Sequence, residues 1–184
     1  TSSPGSFTAG AIRTLPVGAA IKNIRVGDLD GDRKPEIAYT KLTSQQVGLF
    51  LNKSTPATIS FTAGPSVPTD ENPWGLDLGD LDGDGKADIV VASASITKKS
   101  ITILNNTSVT GSLSFTSSVQ PTTFVNRHLN VCDADTDGKP DIVFTSIDDN
   151  NLNIVASKVS VFRNRTCLIP QVTPLGPLDA CAGL

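Results

Sequence analysis

Three landmarks recur along this 184-residue chain in constant order and at nearly constant spacing, and no other feature constrains the fold as much. An acidic loop starts at Asp28, Asp80 and Asp133; the tripeptide Ser-Phe-Thr starts at Ser6, Ser60 and Ser114; and a segment ending in Asn closes as VGLFLN (Val47 to Asn52), ITILNN (Ile101 to Asn106) and VSVFRN (Val159 to Asn164). Self-similarity at a period of 52 to 58 residues means three copies of one supersecondary unit.

Within a unit the apolar pattern has the period of strands. Ahead of each acidic loop, Ile24 and Val26, Leu76 and Leu78, and Leu129 and Val131 share one face, with Arg25, Asp77 and Asn130 between them. A compact apolar run follows each loop: Ile37 to Tyr39, Ile89 to Val91 and Ile142 to Phe144. The Asn-ended segment is a third strand and Ser-Phe-Thr starts a fourth, with Pro, Gly, Ser and Asn in the connections. No helical pattern stands out. The expected fold is all-β, with four-stranded antiparallel blades of the β-propeller type in three repeats, about 6–59, 60–113 and 114–166.

Propellers typically have roughly four to eight blades, so three raise the question of closure. The chain opens with a fourth-type strand (Ser6 to about Arg13), and its last unit stops after the third strand. In a closed ring these two would pair. Three outcomes are open: a larger propeller of which this is part, a propeller completed by a second chain as a homo-oligomer, or an open array with exposed edges. Residues 167–184 break the pattern and read as a Pro- and Gly-rich linker or the start of another domain.

The acidic loops read DLDGDRKPE, DLDGDGKAD and DADTDGKPD. Twelve of the eighteen Asp and Glu sit in them; outside the loops six acids stand against eleven Lys and Arg. Like charges this close repel unless a cation sits among them. Calcium takes about 6–8 oxygen ligands in a flexible cage, and alternate side chains of a tight loop aim at one centre. The side chains at loop positions 1, 3, 5 and 9 and the carbonyl of position 7 supply most of them. These are Asp28, Asp30, Asp32, Glu36 and the Lys34 carbonyl; Asp80, Asp82, Asp84, Asp88 and the Lys86 carbonyl; and Asp133, Asp135, Asp137, Asp141 and the Lys139 carbonyl. The expectation is about three structural Ca2+ ions. Zinc would want His or Cys, which these loops lack. An EF-hand needs Glu at position 12 and flanking helices, where this chain has Tyr39, Val91 and Phe144 in strands.

The pattern D-x-D-G-D-G-x-x-D between two strands, at this period, resembles the FG-GAP/VCBS repeat family, which includes the propeller heads of integrin alpha chains and many bacterial secreted proteins. The resemblance covers roughly Ser6 to Thr166 and is most specific at VGDLDGDRKPEIAY, LGDLDGDGKADIVV and VCDADTDGKPDIVF. Arg33 and Thr136 stand where the pattern has Gly, Glu36 where it has Asp, and Cys132 where the other units have Gly27 and Gly79. The resemblance implies that calcium ties the first and second strands of each blade together, and that the protein is extracellular or at a cell surface, most naturally in a bacterium.

If calcium is structural, ligand binding falls to the other face. Lys22, Trp74 and Arg127 are equivalent positions just before the innermost strands, near the mouth of a central channel, with His128 beside Arg127. Trp and Arg anchor interfaces, and aromatic faces stack on sugars. The competing reading packs Trp74 under the preceding loop and leaves the cations in water. The segments Lys41 to Gln46, Ser93 to Ser100 and Ser146 to Ser157 vary most between units and are further candidates. Expected partners are a protein or a glycan at the cell surface, in a non-catalytic binding or adhesion role. The alternative is a spacer or accessory domain of a larger secreted enzyme, such as one degrading a polysaccharide.

The chain has one His and no hydrolase, zinc-protease or phosphate-loop motif, and Asp77, Asp148 and Asp149 are left without an assigned role. No basic run points to nucleic acid, and no 18-residue apolar run suggests a membrane span. The chain starts at Thr1 and contains no Met, as expected of a mature secreted product or of a piece excised from a longer protein. Cys167 and Cys181 form a candidate disulfide, worth about 3 kcal/mol by loop entropy if made, while Cys132 reads as a buried free thiol. Sequons at Asn52, Asn105, Asn106 and Asn164 recur because the strand-ending Asn belongs to the repeat.

Overall fold

A computed structural model describes residues 10–150 and 153–165. Eleven strands form three antiparallel sheets. The first contains β1 (Ile24–Gly27), β2 (Glu36–Lys41), β3 (Gln46–Asn52) and β4 (Phe61–Pro68). The second contains β5 (Pro73–Gly79), β6 (Asp88–Ser93), β7 (Ser100–Asn106) and β8 (Phe115–Pro121), and the third β9 (Val125–Cys132), β10 (Asp141–Asn150) and β11 (Asn153–Phe162). Strand order within each sheet follows the chain, the meander expected of propeller-like blades. No helix occurs among the described residues, and none is long and apolar enough to cross a membrane.

Registers confirm that the units are structural copies. Ile37 pairs with Phe50, Ile89 with Leu104 and Ile142 with Phe162. Because side chains alternate across a strand, each blade has two apolar faces. Val47 and Leu49 of the first blade pack on Leu76, Ile89, Val91 and Leu104 of the second. Val90, Ala92 and Ile101 of the second pack on Leu129, Ile142 and Phe144 of the third. The two cores thus lie between blades. β1, β5 and β9 run side by side as the inner strands. A β-carbon at Gly75 would come within 2.4 Å of the Arg127 carbonyl oxygen, and one at Gly79 within 2.4 Å of Val131 Cγ1, so glycine permits this approach.

Three expectations change. Residues 10–13 form no strand, and Ser6–Ala9 lie outside the described residues. The segment Ser146 to Ser157 is mostly strand, because β10 and β11 run longer than their counterparts. Cys132 is free but exposed. Its equivalents Gly27 and Gly79 are covered by Leu78 and Val131 of the following blade, and the described chain places no blade after the third. The candidate pair Cys167 and Cys181 lies outside the described residues.

Candidate metal centres and the opposite face

Each acidic loop joins the first and second strands of its blade, so strand pairing fixes both of its ends. The first residue folds the loop around itself. Asp28 accepts backbone N–H groups from Gly31 and Arg33, both at 2.8 Å, and Asp80 accepts those of Gly83 and Gly85 at 2.8 and 2.9 Å. Asp133 accepts those of Asp137 and Gly138 at 3.1 and 2.9 Å. The path needs left-handed backbone. Gly85 has φ of 86° and Gly83 of 78°, whereas Arg33 and Thr136 adopt 68° and 65° despite their side chains.

The ninth residue is buried and ties three strands. Glu36 accepts the N–H of Leu29 at 2.9 Å and of Asn52 at 3.2 Å; Asp88 accepts those of Leu81 and Asn106 at 2.9 and 2.8 Å. Asp141 accepts those of Ala134 and Asn164 at 3.0 and 2.7 Å. Burial pushes the carboxyls of Glu36 and Asp88 above their ordinary range, against the pull of these bonds. Asp141 is held below its ordinary value, chiefly by the Asn164 N–H.

The structure brings together Asp28, Asp30, Asp32 and Glu36 in the first loop, Asp80, Asp82 and Asp88 in the second, and Asp133, Asp135 and Asp141 in the third. In each group one oxygen per residue lies within 4.8 Å of the others. Ligands of one calcium ion, at 2.3–2.6 Å from it, are separated by at most about 5 Å, so the clusters and their all-oxygen chemistry fit that ion. A carboxylate oxygen that accepts one N–H keeps a second lone pair for a cation. Asp84 and Asp137 fall outside the groups. Asp84 Oδ2 lies 3.6 Å from Lys86 Nζ, and Asp137 Oδ2 lies 3.3 Å from an Arg163 guanidinium nitrogen. Arg163 also donates from Nε to Asp135, so the third loop holds a guanidinium from the third strand of its blade, where the first and second blades have Leu51 and Asn105.

Sequence reasoning missed the strand-ending asparagines. Asn106 Nδ2 donates to Ala87 O at 2.8 Å in its own blade and to Leu29 O at 2.9 Å in the blade before; Asn164 Nδ2 donates to Leu81 O at 2.8 Å in the same way. Each amide therefore clamps the acidic loop of one blade to the third strand of the next. Gly111 N adds a bond to Asp30 Oδ2 at 2.8 Å. These roles explain the recurrence of Asn, and the buried, bonded amides of Asn52 and Asn106 exclude glycan attachment to the folded chain there. Asp77, left over by the sequence, joins the inner strands: it takes Arg25 Nε at 2.7 Å and the Val131 N–H at 2.8 Å.

At the other end of the blades, Lys22, Trp74 and Arg127 come together. Lys22 Nζ lies 4.4 Å from the centroid of the Trp74 ring, and Arg127 Cζ lies 5.2 Å from it. The close approach of β9 to Gly75 delivers Arg127. The Lys22 and Asn23 N–H groups both bond Thr40 Oγ1 at 3.1 Å. Trp74 is half-buried, His128 is exposed, and Arg127 Nε is buried without a hydrogen-bond acceptor. β5 carries Trp74 near its start and leads to Asp80 past its end, which separates the cluster from the acidic loops by roughly 20 Å at about 3.3 Å per residue. Beside it the Ser93 to Ser100 loop is fastened by Glu71, whose carboxylate accepts Thr97 Oγ1 at 2.7 Å and Ser95 Oγ at 3.0 Å. Those bonds hold the Glu71 carboxyl below its usual range.

No curated protein and no solved structure matches the chain. Residues 40–91 match the family model of the FG-GAP-like repeat. The matched stretch runs from the end of β2 to the middle of β6 and contains the second acidic loop, the one that keeps both glycines. Sequence period, blade topology and family model therefore agree that this chain carries an FG-GAP-like repeat.

Proposed function

We propose that this chain is a calcium-stabilised, non-catalytic binding module of an extracellular or cell-surface protein, and that it uses the face opposite its metal loops. The observation that carries the reading is the division of labour along the blades. Carboxylates converge at one end. At the other, two cations lie over a half-buried indole, and one of them has an unpaired donor. Calcium would be held by the three convergent groups, with the Lys34, Lys86 and Lys139 carbonyls completing the oxygen set, and would supply charge neutralisation that fixes each loop. The Trp74 cluster suits a ligand that presents an anionic group beside an apolar face, on a glycan or a protein surface.

The test is an array of acidic and neutral glycans probed with the whole chain in calcium, with a chelator arm. Acidic hits that vanish in Trp74→Ala and weaken in Arg127→Ala support the reading and locate the face. Hits indifferent to both substitutions place the binding face elsewhere. A blank array from folded, calcium-loaded chain leaves a protein ligand, to be sought by pull-down, and a pull-down indifferent to Trp74→Ala would sink the assignment. The spacer reading gains if neither assay finds a ligand.

A further inference from the structure

The two ends of the blade array expose what the two internal joints bury. Each blade has a forward face, packed on the blade that follows, and a rear face, packed on the blade before. On the forward faces Val47 and Leu49 are 0% and 1% exposed and Ile101 is 0% exposed, but their equivalents in the third blade, Val159 and Val161, are 73% and 53% exposed. On the rear faces Leu76 and Leu129 are 0% and 3% exposed, but Ile24 of the first blade is 51% exposed and Val26 57%. Among the described residues the third blade therefore presents an uncovered forward face, and the first blade a rear face that is open at Ile24 and Val26, although Tyr39 and Phe50 on that face are 7% and 5% exposed. These are the two halves of a joint the protein already makes twice.

The polar groups of a third joint are also present. At the internal joints Asn106 and Asn164 each donate to the carbonyl after the first acid of the preceding loop, on Leu29 and Leu81. Asn52 donates from Nδ2 to Pro35 O in its own blade. It stands where Asn106 and Asn164 reach backward, and Ala134, the third-loop equivalent of Leu29, is exposed. Among the described residues β11 pairs only with β10, whereas β3 and β7 each pair on a second edge with a strand that begins at the Phe of Ser-Phe-Thr. The remaining copy of that motif, Ser6-Phe7-Thr8, precedes residues that line a groove with Ile37, Ile59 and Phe61 on the first blade.

We propose that two copies of this chain associate head to tail, the first blade of each seated on the third blade of the other, and close a six-bladed ring. Six lies inside the range of roughly four to eight blades that propellers adopt. The contact is heterologous, and two copies close it with identical joints. Val26 of one copy then faces Cys132 of the other, as Leu78 faces Gly27 and Val131 faces Gly79. Cysteine there makes this joint wider at that point than the internal ones, because a β-carbon at Gly79 would already stand 2.4 Å from Val131.

The experiment is sedimentation equilibrium of the whole chain in calcium, with a disulfide trap. The expected mass is twice 19.2 kDa. Val26→Asp and Val161→Asp should each give a folded chain of single mass, and an equimolar mixture of the two should recover a pair, since one intact joint remains. With Cys167→Ser and Cys181→Ser as background, Val26→Cys should form a covalent dimer through Cys132 on oxidation, and Cys132→Ser should abolish it. Single mass at every concentration, with no trapped dimer, overturns the proposal and leaves the faces to further blades of a longer chain. A ladder of masses beyond two copies overturns ring closure.

Discussion

Asn106→Ala tests whether the blades are held by asparagine clamps as well as by apolar packing. The side chain is 3% exposed and makes three hydrogen bonds: to Ala87 O at 2.8 Å, to Leu29 O at 2.9 Å and from the Ser108 N–H at 2.9 Å. Alanine leaves those partners buried without water. At about 1 kcal/mol net for each bond the loss is about 3 kcal/mol, a large share of a domain's stability. Asn52→Ala provides the internal reference. Asn52 bonds Pro35 O and the Ser54 N–H, both at 2.9 Å, and its blade has no described predecessor. Its loss should be about 2 kcal/mol, so the difference isolates the bond between blades at about 1 kcal/mol. Urea unfolding in saturating calcium, at dilutions where the chain is single, measures both, with unchanged m-values expected. Equal losses in the two variants would refute the clamp. A loss at Asn106 under about 0.5 kcal/mol would refute the premise that its partners go unsatisfied. At concentrations where copies associate, the difference should close.

Arg33→Gly should raise stability by roughly 1 kcal/mol in thermal melts, because φ of 68° strains a residue with a β-carbon and not glycine; a loss would show that the Arg33 side chain holds the loop. Arg163→Leu, which copies Leu51 of the first blade, should tighten calcium binding at the third loop in calorimetric titration by removing the cation that bonds Asp135 and Asp137; unchanged affinity would count against competition there. The gain in melting temperature from calcium should grow as pH rises from mildly acid to neutral. Without metal, the raised Glu36 and Asp88 contribute stability that is full below their ordinary values of 4.5 and 3.8 and is lost as pH rises through the raised folded values. Asp141 runs the other way: its lowered value gives stability present above 3.8 and lost as pH falls through the lowered one. Calcium favours the charged forms of all three, so a gain independent of pH would argue that these carboxylates are not ligands.

The sequence by itself determined the blade repeat, the strand order within each sheet and the acidic loops, because these are written in residues close along the chain. Alternation with period two, turn glycines and carboxylates at alternate positions specify their own neighbourhood. Even where Arg33 and Thr136 replace glycine the loop keeps its path, since the first Asp gathers the loop's own N–H groups. Only the tertiary structure decided what crosses between blades. Asn106 reaches Leu29 over 77 residues, Asn164 reaches Leu81 over 83 and Arg25 meets Asp77 over 52. The third loop acquires Arg163, and Cys132, apolar by pattern, ends exposed. The physical reason is the same for each. A strand pattern states that a face is apolar, but burial depends on the surface that arrives opposite, and so Ile24 and Val26 share a pattern with Leu76 and Leu78 and yet stand in water.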